Sequence, residues 1–333
     1  MTEKAKTHGL HFRPHFKTHQ SIEVGEIFQE FGVRAITVSS VEMAIKFADA
    51  GWSDITIALS LNIHELPRIN QLAKNFKINV LVENIEVFQT IREKIYIDIG
   101  FFIKIDTGYH RTGVESDNTE LIDSILREGA TISKLSFKGF LIHSGDTYNA
   151  RSVHEILQIH SKTIQSIGLL KKKYQKSYPD LIASIGDTPS CSLATDFSGI
   201  DEIRPGNFVY YDVMQYNLGV CKLEDIAVCV ACPVLAVHKN RNEVVVHGGA
   251  VHLSKESIDV NGQRVFGLPV RITSTGWEFL PKGNYVKSLS QEHGIIKLAA
   301  EEIGRFGVGD FIGILPVHSC LTANLLRKYR FIV

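Results

Sequence analysis

Residues 100–113 read GFFIKIDTGYHRTG: an apolar run stops at Asp106 and opens into a polar, glycine-punctuated loop carrying His110 and Arg111. FLIHSGD at 140–146 and ASIGDTPS at 183–190 have the same form, a short apolar strand with polar groups at its C-terminal end. Strands that are apolar on both faces belong to a parallel sheet covered on both sides, and the stretches between these runs have the period of amphipathic helices. From residue 10 to 205 the alternation gives eight candidate strands: Phe12 to Lys17, Ala35 to Ser39, Ile55 to Leu59, Ile78 to Val82, Gly100 to Ile105, Ser136 to His143, Leu181 to Ile185 and Glu202 to Arg204. Eight strands with intervening helices is the count that closes a barrel. An open doubly wound sheet would carry a G-x-G-x-x-G turn after its first strand, and the sequence has none. The expected fold is α/β, a (β/α)8 TIM-type barrel over residues 1–215.

After residue 215 strands follow one another without long helices: Val228 to Val237, Glu243 to His247, Val270 to Thr273, Ile295 to Leu298 and Phe311 to Leu315. A smaller, β-rich C-terminal domain is expected over 216–333, joined through Gly206 to Leu218. The 333 residues carry 36 Lys+Arg against 36 Asp+Glu, and no basic run offers the electrostatic footprint that nucleic acid or an anionic membrane requires. Small molecules are the expected partners. The N-terminus is polar, and nowhere does the chain run for ~18 apolar residues without a charge, as a membrane span would need. Five scattered cysteines, at 191, 221, 229, 232 and 320, fit a reducing, cytoplasmic location better than a disulfide framework. Cys229 and Cys232 form a lone C-x-x-C inside an apolar run and read as buried strand cysteines.

Candidate chemistry clusters at the strand ends. In the first strand a period of two puts Arg13, His15 and Lys17 on one face. Lys17 then lies at a C-terminal end, where barrels keep catalytic groups, and neighbouring positive charge would favour the neutral amine that attacks a carbonyl. A basic edge strand facing solvent is the bland alternative, and Pro14 argues against an ordinary central strand. Asp106, His110 and Arg111 lie in the loop after the fifth strand, His143 ends the sixth and Arg204 the eighth. Gly186, Asp187, Thr188 and Ser190 could cradle a phosphate at a helix start, or form a plain helix entry with Pro189 early in the helix. Near the C-terminus, Pro316-Val317-His318-Ser319-Cys320 follows an apolar strand. If that strand continues, His318 and Cys320 share a face about 7 Å apart, close enough to converge on one metal ion. One imidazole and one thiolate suit Zn²⁺ or another divalent metal and leave positions open for water or substrate. Glu292-His293-Gly294 could supply a further ligand, a proton carrier, or only a turn.

In their order, RPHFKTH at 13–19, KIDTGYHRTG at 104–113, HSGD at 143–146, GDTPS at 186–190, RPGN at 204–207, EHG at 292–294 and HSC at 318–320 span almost the whole chain. This set resembles the fold-type III pyridoxal-phosphate enzymes of the alanine racemase superfamily, in the branch of D-serine dehydratase and D-threonine aldolase. The resemblance implies pyridoxal 5'-phosphate with its aldehyde on Lys17, Arg111 near the cofactor phenolate or substrate carboxylate, and His143 packed by the ring. It implies phosphate binding by the Gly186–Ser190 loop, Arg204 or Tyr210 towards the pyridine end, a metal on His318 and Cys320, and His293 in the catalytic set. It also implies a homodimer.

In that branch the aldolases more typically place an aspartate two residues after the metal-binding histidine and the dehydratases a cysteine, so Cys320 points to a lyase that turns D-serine into pyruvate and ammonia. A metal-dependent D-3-hydroxyamino-acid aldolase giving glycine and an aldehyde is the alternative. A non-catalytic pyridoxal-phosphate-binding protein is the third, and a second domain with His318 and Cys320 argues against it. Relatives begin with an extra strand and helix, and Met1 falls within what corresponds to that helix. The start is therefore expected to be short of the family pattern and the β-domain to lack a strand.

Overall fold

The computed structural model describes residues 1–326 and divides into two compact units, Met1–Lys17 with Ser21–Gly206, and Thr18–Gln20 with the chain from Asn207 onward. The first unit holds β1 His11–Phe12, β2 Ala35–Val38, β3 Asp54–Ser60, β4 Lys77–Val82, β5 Ile99–Asp106, β6 Val114–Glu115, β7 Leu135–Ile142, β8 Ile182–Ile185 and β9 Glu202–Ile203. They pair in the order β1-β9-β8-β7-β5-β4-β3-β2, with the short β6 beside β5, and the barrel strands run parallel. The chain at 13–16 brings the two ends of this sheet together. Arg13 and His15 donate their N–H groups to Ile203 and Pro205, while Phe16 donates to Thr37 O and Thr37 donates to Pro14 O. A nearly closed eight-stranded parallel barrel results, as the strand count predicts.

Burial explains why these runs form strands. In β5 every residue from Ile99 to Ile105 is buried, and Lys104 is the only charged one among them. Five of the intervening helices start on side chains that accept the N–H three residues on: Ser21, Ser40, Asn118, Ser152 and Asp187. Each such cap satisfies one of the donors that a helix start leaves open. Gly139 in β7 has φ +138°, and a Cβ there would meet the Ile182 carbonyl oxygen at 2.0 Å, so only glycine lets β8 approach.

The first strand differs from the expected run to Lys17. Regular pairing ends at Phe12, a single bridge joins His15 to Thr37, and 16–19 is a turn. Pro14 has no N–H to extend the ladder, and Phe16 turns outward into an aromatic cluster with Phe28, Phe47 and Trp52 at 5.2, 4.9 and 4.9 Å between ring centroids. The three basic side chains therefore do not form one cationic face. Arg13 is buried and committed to carboxylates, at 2.6 Å from both Glu202 and Asp54. Replacing Arg13 by leucine would leave the fully buried Glu202 carboxylate without its cation and is expected to cost about 3 to 5 kcal/mol, read as a lowered urea midpoint at pH 7.

The second unit holds β10 Val230–His238, β11 Glu243–His247, β12 Ile258–Val260, β13 Gln263–Val265, β14 Gly267–Thr273, β15 Gly276–Phe279, β16 Tyr285–Leu289, β17 His293–Lys297 and β18 Phe311–Pro316. Seven of them make a sheet in the order β15-β14-β18-β10-β11-β17-β16, with antiparallel neighbours, and β12 and β13 form a separate hairpin. Its core is aliphatic, with Val244, Val246, Val286, Ile296, Ile312 and Ile314 fully buried. The two sheet edges, β15 and β16, escaped the sequence reading because their charged and half-exposed residues weaken the apolar signal. β18 stops at Pro316, and a helix begins at Ser319. His318 thus precedes that helix and Cys320 lies in its first turn, and the pair is not on a continued strand.

Candidate active site

The C-terminal ends of the barrel strands collect the groups singled out in the sequence. Lys17 follows β1 in the turn that His15 Nδ1 caps by accepting the Lys17 N–H at 3.4 Å. His143 follows β7. Its Nδ1–H donates to the Gly186 carbonyl, and its ring meets Tyr109 edge-on at 6.2 Å and Tyr148 at the same distance. Burial, reinforced by the charges of Lys17, Lys104 and Arg111, holds the imidazole well below its usual range, so it stays neutral with Nε2 as an acceptor. Gly145 packs flat against Tyr109, where a Cβ would come within 2.3 Å of the ring. Arg111 is exposed and stacks over the same Tyr109 ring at 5.0 Å.

After β8, Asp187 caps the helix Thr188–Leu193 by accepting the Ser190 N–H at 2.7 Å, and it takes the Thr147 hydroxyl at 3.0 Å. Burial pushes its carboxyl up to about 6. Gly186 lies against Arg204, whose Cβ an added methyl would meet at 2.9 Å, and the Thr188 N–H donates to the Tyr148 hydroxyl. Ser190 Oγ is fully buried and has no hydrogen-bond partner. An orphaned hydroxyl beside a glycine turn suits the phosphate of pyridoxal phosphate. The residues present therefore fit the cofactor.

Arg204 follows β9 and is buried, donating from Nε to Ser184 Oγ and from Nη2 to the Ile142 carbonyl, both at 2.6 Å. Ser184 in turn donates to Glu202, so Arg13, Glu202, Ser184 and Arg204 form one chain of polar contacts through the barrel interior. Burial lowers the Arg204 guanidinium to about 10. The sequence reading passed over Lys104, which lies on the buried stretch of β5 with Nζ 3.3 Å from the Ile105 carbonyl. Burial, with the Arg204 and Arg111 charges, lowers its amine to about 7. Glu83 also went unnoticed; it accepts the Gly113 N–H and braces the loop after β5.

The second unit carries the His-Ser-Cys turn. Asp212, wholly buried, accepts the Gln215 N–H at 3.0 Å, the Ser319 N–H at 2.9 Å and the Asn207 amide at 2.6 Å. Burial pushes its carboxyl up. Although the strand does not continue, His318 and Cys320 stay close enough for Cys320 to act on the imidazole. Thr18 Oγ1 is 3.2 Å and Asn207 Nδ2 3.6 Å from Cys320 Sγ. For His318, burial opposes the charged form, but the hydrogen bond to Cys320 and the charges of Cys320, Asp212 and Glu256 outweigh it and raise the imidazole. One nitrogen and one sulphur in this polar surround fit a borderline divalent ion. Tyr210 is buried in the same unit, its carbonyl taking the Ala227 N–H.

His293 is exposed at the head of β17, directly across from His247 on β11. Nearby, His247, His252 and Glu292 bring one ligand atom each to within 4.8 Å of the others. There His252 Nδ1 accepts the Gly249 N–H at 3.2 Å, which puts the ring proton on the other nitrogen and makes that atom a donor. Cys232 is buried in β10 as expected, but Cys229 is only half-buried and lies just before that strand; burial pushes their thiols up to about 12 and about 11, so both stay protonated. No helix among the described residues is long and apolar enough to cross a membrane.

Comparison with known proteins gives consistent relatives. Residues 2–213 match the alanine racemase N-terminal domain, and residues 227–332 match the putative serine dehydratase domain. The chain is 31% identical to a D-serine dehydratase of Dictyostelium discoideum over 100% of its length and 89% of that protein. The solved D-threo-3-hydroxyaspartate dehydratase from Delftia sp. HT23 is 27% identical, with a TM-score of 0.88 over 97% of this chain and 87% of that one. That dehydratase has also been solved with a histidine replaced by alanine, and with a cysteine two residues further on replaced by alanine in the metal-free form. A 3-hydroxy-D-aspartate aldolase of Paracoccus denitrificans is 23% identical over 99% of this chain and 83% of that protein.

Proposed function

The chain belongs to the alanine racemase N-terminal domain family, with a serine dehydratase domain behind it, and from that premise we propose a pyridoxal-phosphate- and zinc-dependent lyase converting D-serine to pyruvate and ammonia. The observation that carries the dehydratase reading is the placing of His318 and Cys320 at the junction of β18 with the following helix, close enough for Cys320 to act on the imidazole. The same His-x-Cys spacing is the one altered in the solved variants of the Delftia dehydratase, and removal of the cysteine there accompanies a metal-free form. We assign the cofactor to the barrel domain, residues 1–215, and the metal to the β-domain, residues 216–333.

Lys17, His143, the Gly186–Ser190 loop, Arg204 and Tyr210 would hold pyridoxal phosphate, with Arg111 at the phenolate or the substrate carboxylate; His318 and Cys320 would hold the ion. Bound pyridoxal phosphate supplies an electron sink for charge at the substrate Cα, and bound zinc a Lewis acid for the departing β-hydroxyl. Lys17 Nζ takes the Cα proton. His143, kept neutral by burial, accepts at Nε2 and adds no positive charge beside Lys17. The buried Asp187 and Thr147 hold the phosphate loop rigid through their hydrogen bond. His293 is the proposed carrier for the proton that leaves with the hydroxyl, from its exposed place on β17. The net reaction takes one D-serine to one pyruvate and one ammonia without an oxidant. A homodimer in the cytoplasm completes the proposal, the reducing compartment supported by the scattered free thiols.

Purified protein supplied with pyridoxal phosphate and D-serine should release pyruvate, and a chelator should suppress most of that release until zinc is restored. Release of glycine and an aldehyde from D-threonine, without pyruvate from D-serine, would favour the aldolase that the Paracoccus relative represents. Neither product from either substrate would overturn the lyase.

A further inference from the structure

Beside the Cys320 sulphur lies a hydroxyl that no part of the mechanism above uses. Thr18 has no exposed surface, and its hydroxyl lies 3.2 Å from Sγ. A metal-bound thiolate is deprotonated and can only accept, so in the loaded centre this hydroxyl must donate. Its β-branched side chain has few rotamers, and a donor fixed in this way constrains the sulphur in turn. Asn207 Nδ2 lies 3.6 Å from Sγ, but its two hydrogens serve the shorter contacts, Asp212 at 2.6 Å and Ser319 Oγ at 3.0 Å, so the amide packs beside the sulphur and leaves Thr18 as the donor. The amide cannot flip without turning its oxygen onto the Asp212 carboxylate. In this orientation Asn207 Oδ1 is buried and has no partner.

We propose that Thr18 is a positioning residue of the metal centre, holding the Cys320 thiolate in its ligating rotamer and setting how tightly the ion is kept. The proposal rests on the reading of His318 and Cys320 as the metal ligands. Partners of this kind orient metal ligands and tune their donor strength, and their loss typically costs about 10- to 100-fold in metal affinity. Thr18 acts on the ion only through Cys320, so its effect should appear in binding and in the ligand spectrum whether or not substrate is present.

The test uses the pyridoxal-phosphate-loaded protein stripped of metal and titrated with Co²⁺, whose bond to a thiolate gives a near-ultraviolet charge-transfer band. Thr18→Val removes the hydroxyl at nearly constant volume, and Thr18→Ala repeats the loss in a smaller side chain should valine not fold. Both should release Co²⁺ to a competing chelator about 10- to 100-fold more readily than the parent and shift the band, while Thr18→Ser retains both properties. Parent-like affinity and band in Thr18→Val or Thr18→Ala would overturn the positioning role. Cys320→Ala separates this from failure of the underlying reading: a thiolate band surviving that substitution, or absent from the parent, means that Cys320 is not a ligand and overturns both.

Discussion

Lys17→Ala should lose the visible absorbance of covalently held pyridoxal phosphate and lower pyruvate release from D-serine by at least ~10³-fold, within the range that loss of a positioned proton-transfer group covers. Two roles converge on one amine: holding the aldehyde and taking the Cα proton. Loss of either alone would slow the reaction, and loss of both leaves binding without chemistry. The substitution should not unfold the barrel, because Lys17 is half-buried in a turn after the last bridged residue, while the neighbouring Phe16 supplies the packing. Far-ultraviolet circular dichroism unchanged from the parent, together with absent absorbance, is the expected pair of results. Full pyruvate release by Lys17→Ala would remove Lys17 from the site and shift attention to Lys104, the buried lysine in the same barrel.

The barrel was legible because its strands are buried on both faces and alternate with amphipathic helices, the pattern in which runs such as GFFIKI point to a parallel sheet. The first strand was less so. Alternation of Arg13, His15 and Lys17 reads as a period of two, but Pro14 and the outward turn of Phe16 end the ladder, and the Arg13 charge is taken up by Glu202 and Asp54 from strands 189 and 41 residues away in sequence. Such long-range pairing has no local signature. His318 and Cys320 are brought near each other not by a continued strand but where β18 gives way to a helix, whose Ser319 N–H is held by Asp212, 107 residues earlier. Thr18 and Asn207 gave no signal of their own, since a threonine and an asparagine become partners of a sulphur only once the chain has folded. Lys104 was hidden by its setting, one charge in an apolar strand, which reads as noise until the barrel closes around it.

Lys104 therefore makes the sharpest prediction about stability and pH. Its amine falls from 10.5 to about 7 in the folded protein, first through burial and then through the Arg204 and Arg111 charges, which Asp106 and Glu83 only partly offset. The unfolded chain keeps the proton up to the ordinary lysine value, so between pH 7 and 10.5 the unfolded state binds more protons than the folded one. Stability must then rise with pH through that window, by a slope approaching about 1.4 kcal/mol per unit from this group alone. Below pH 7 both states carry the charge, the slope vanishes and the full cost of the buried cation remains. Lys104→Met keeps the length and apolar stem of the side chain while removing the amine. In protein freed of pyridoxal phosphate, it should be more stable than the parent by several kcal/mol at pH 6.5, with the advantage shrinking as pH is raised to 9.5. Urea unfolding at these two pH values is sufficient. A methionine variant whose advantage over the parent does not change with pH would mean that Lys104 is charged in the folded barrel throughout, held by Asp106 and Glu83 more strongly than burial opposes it.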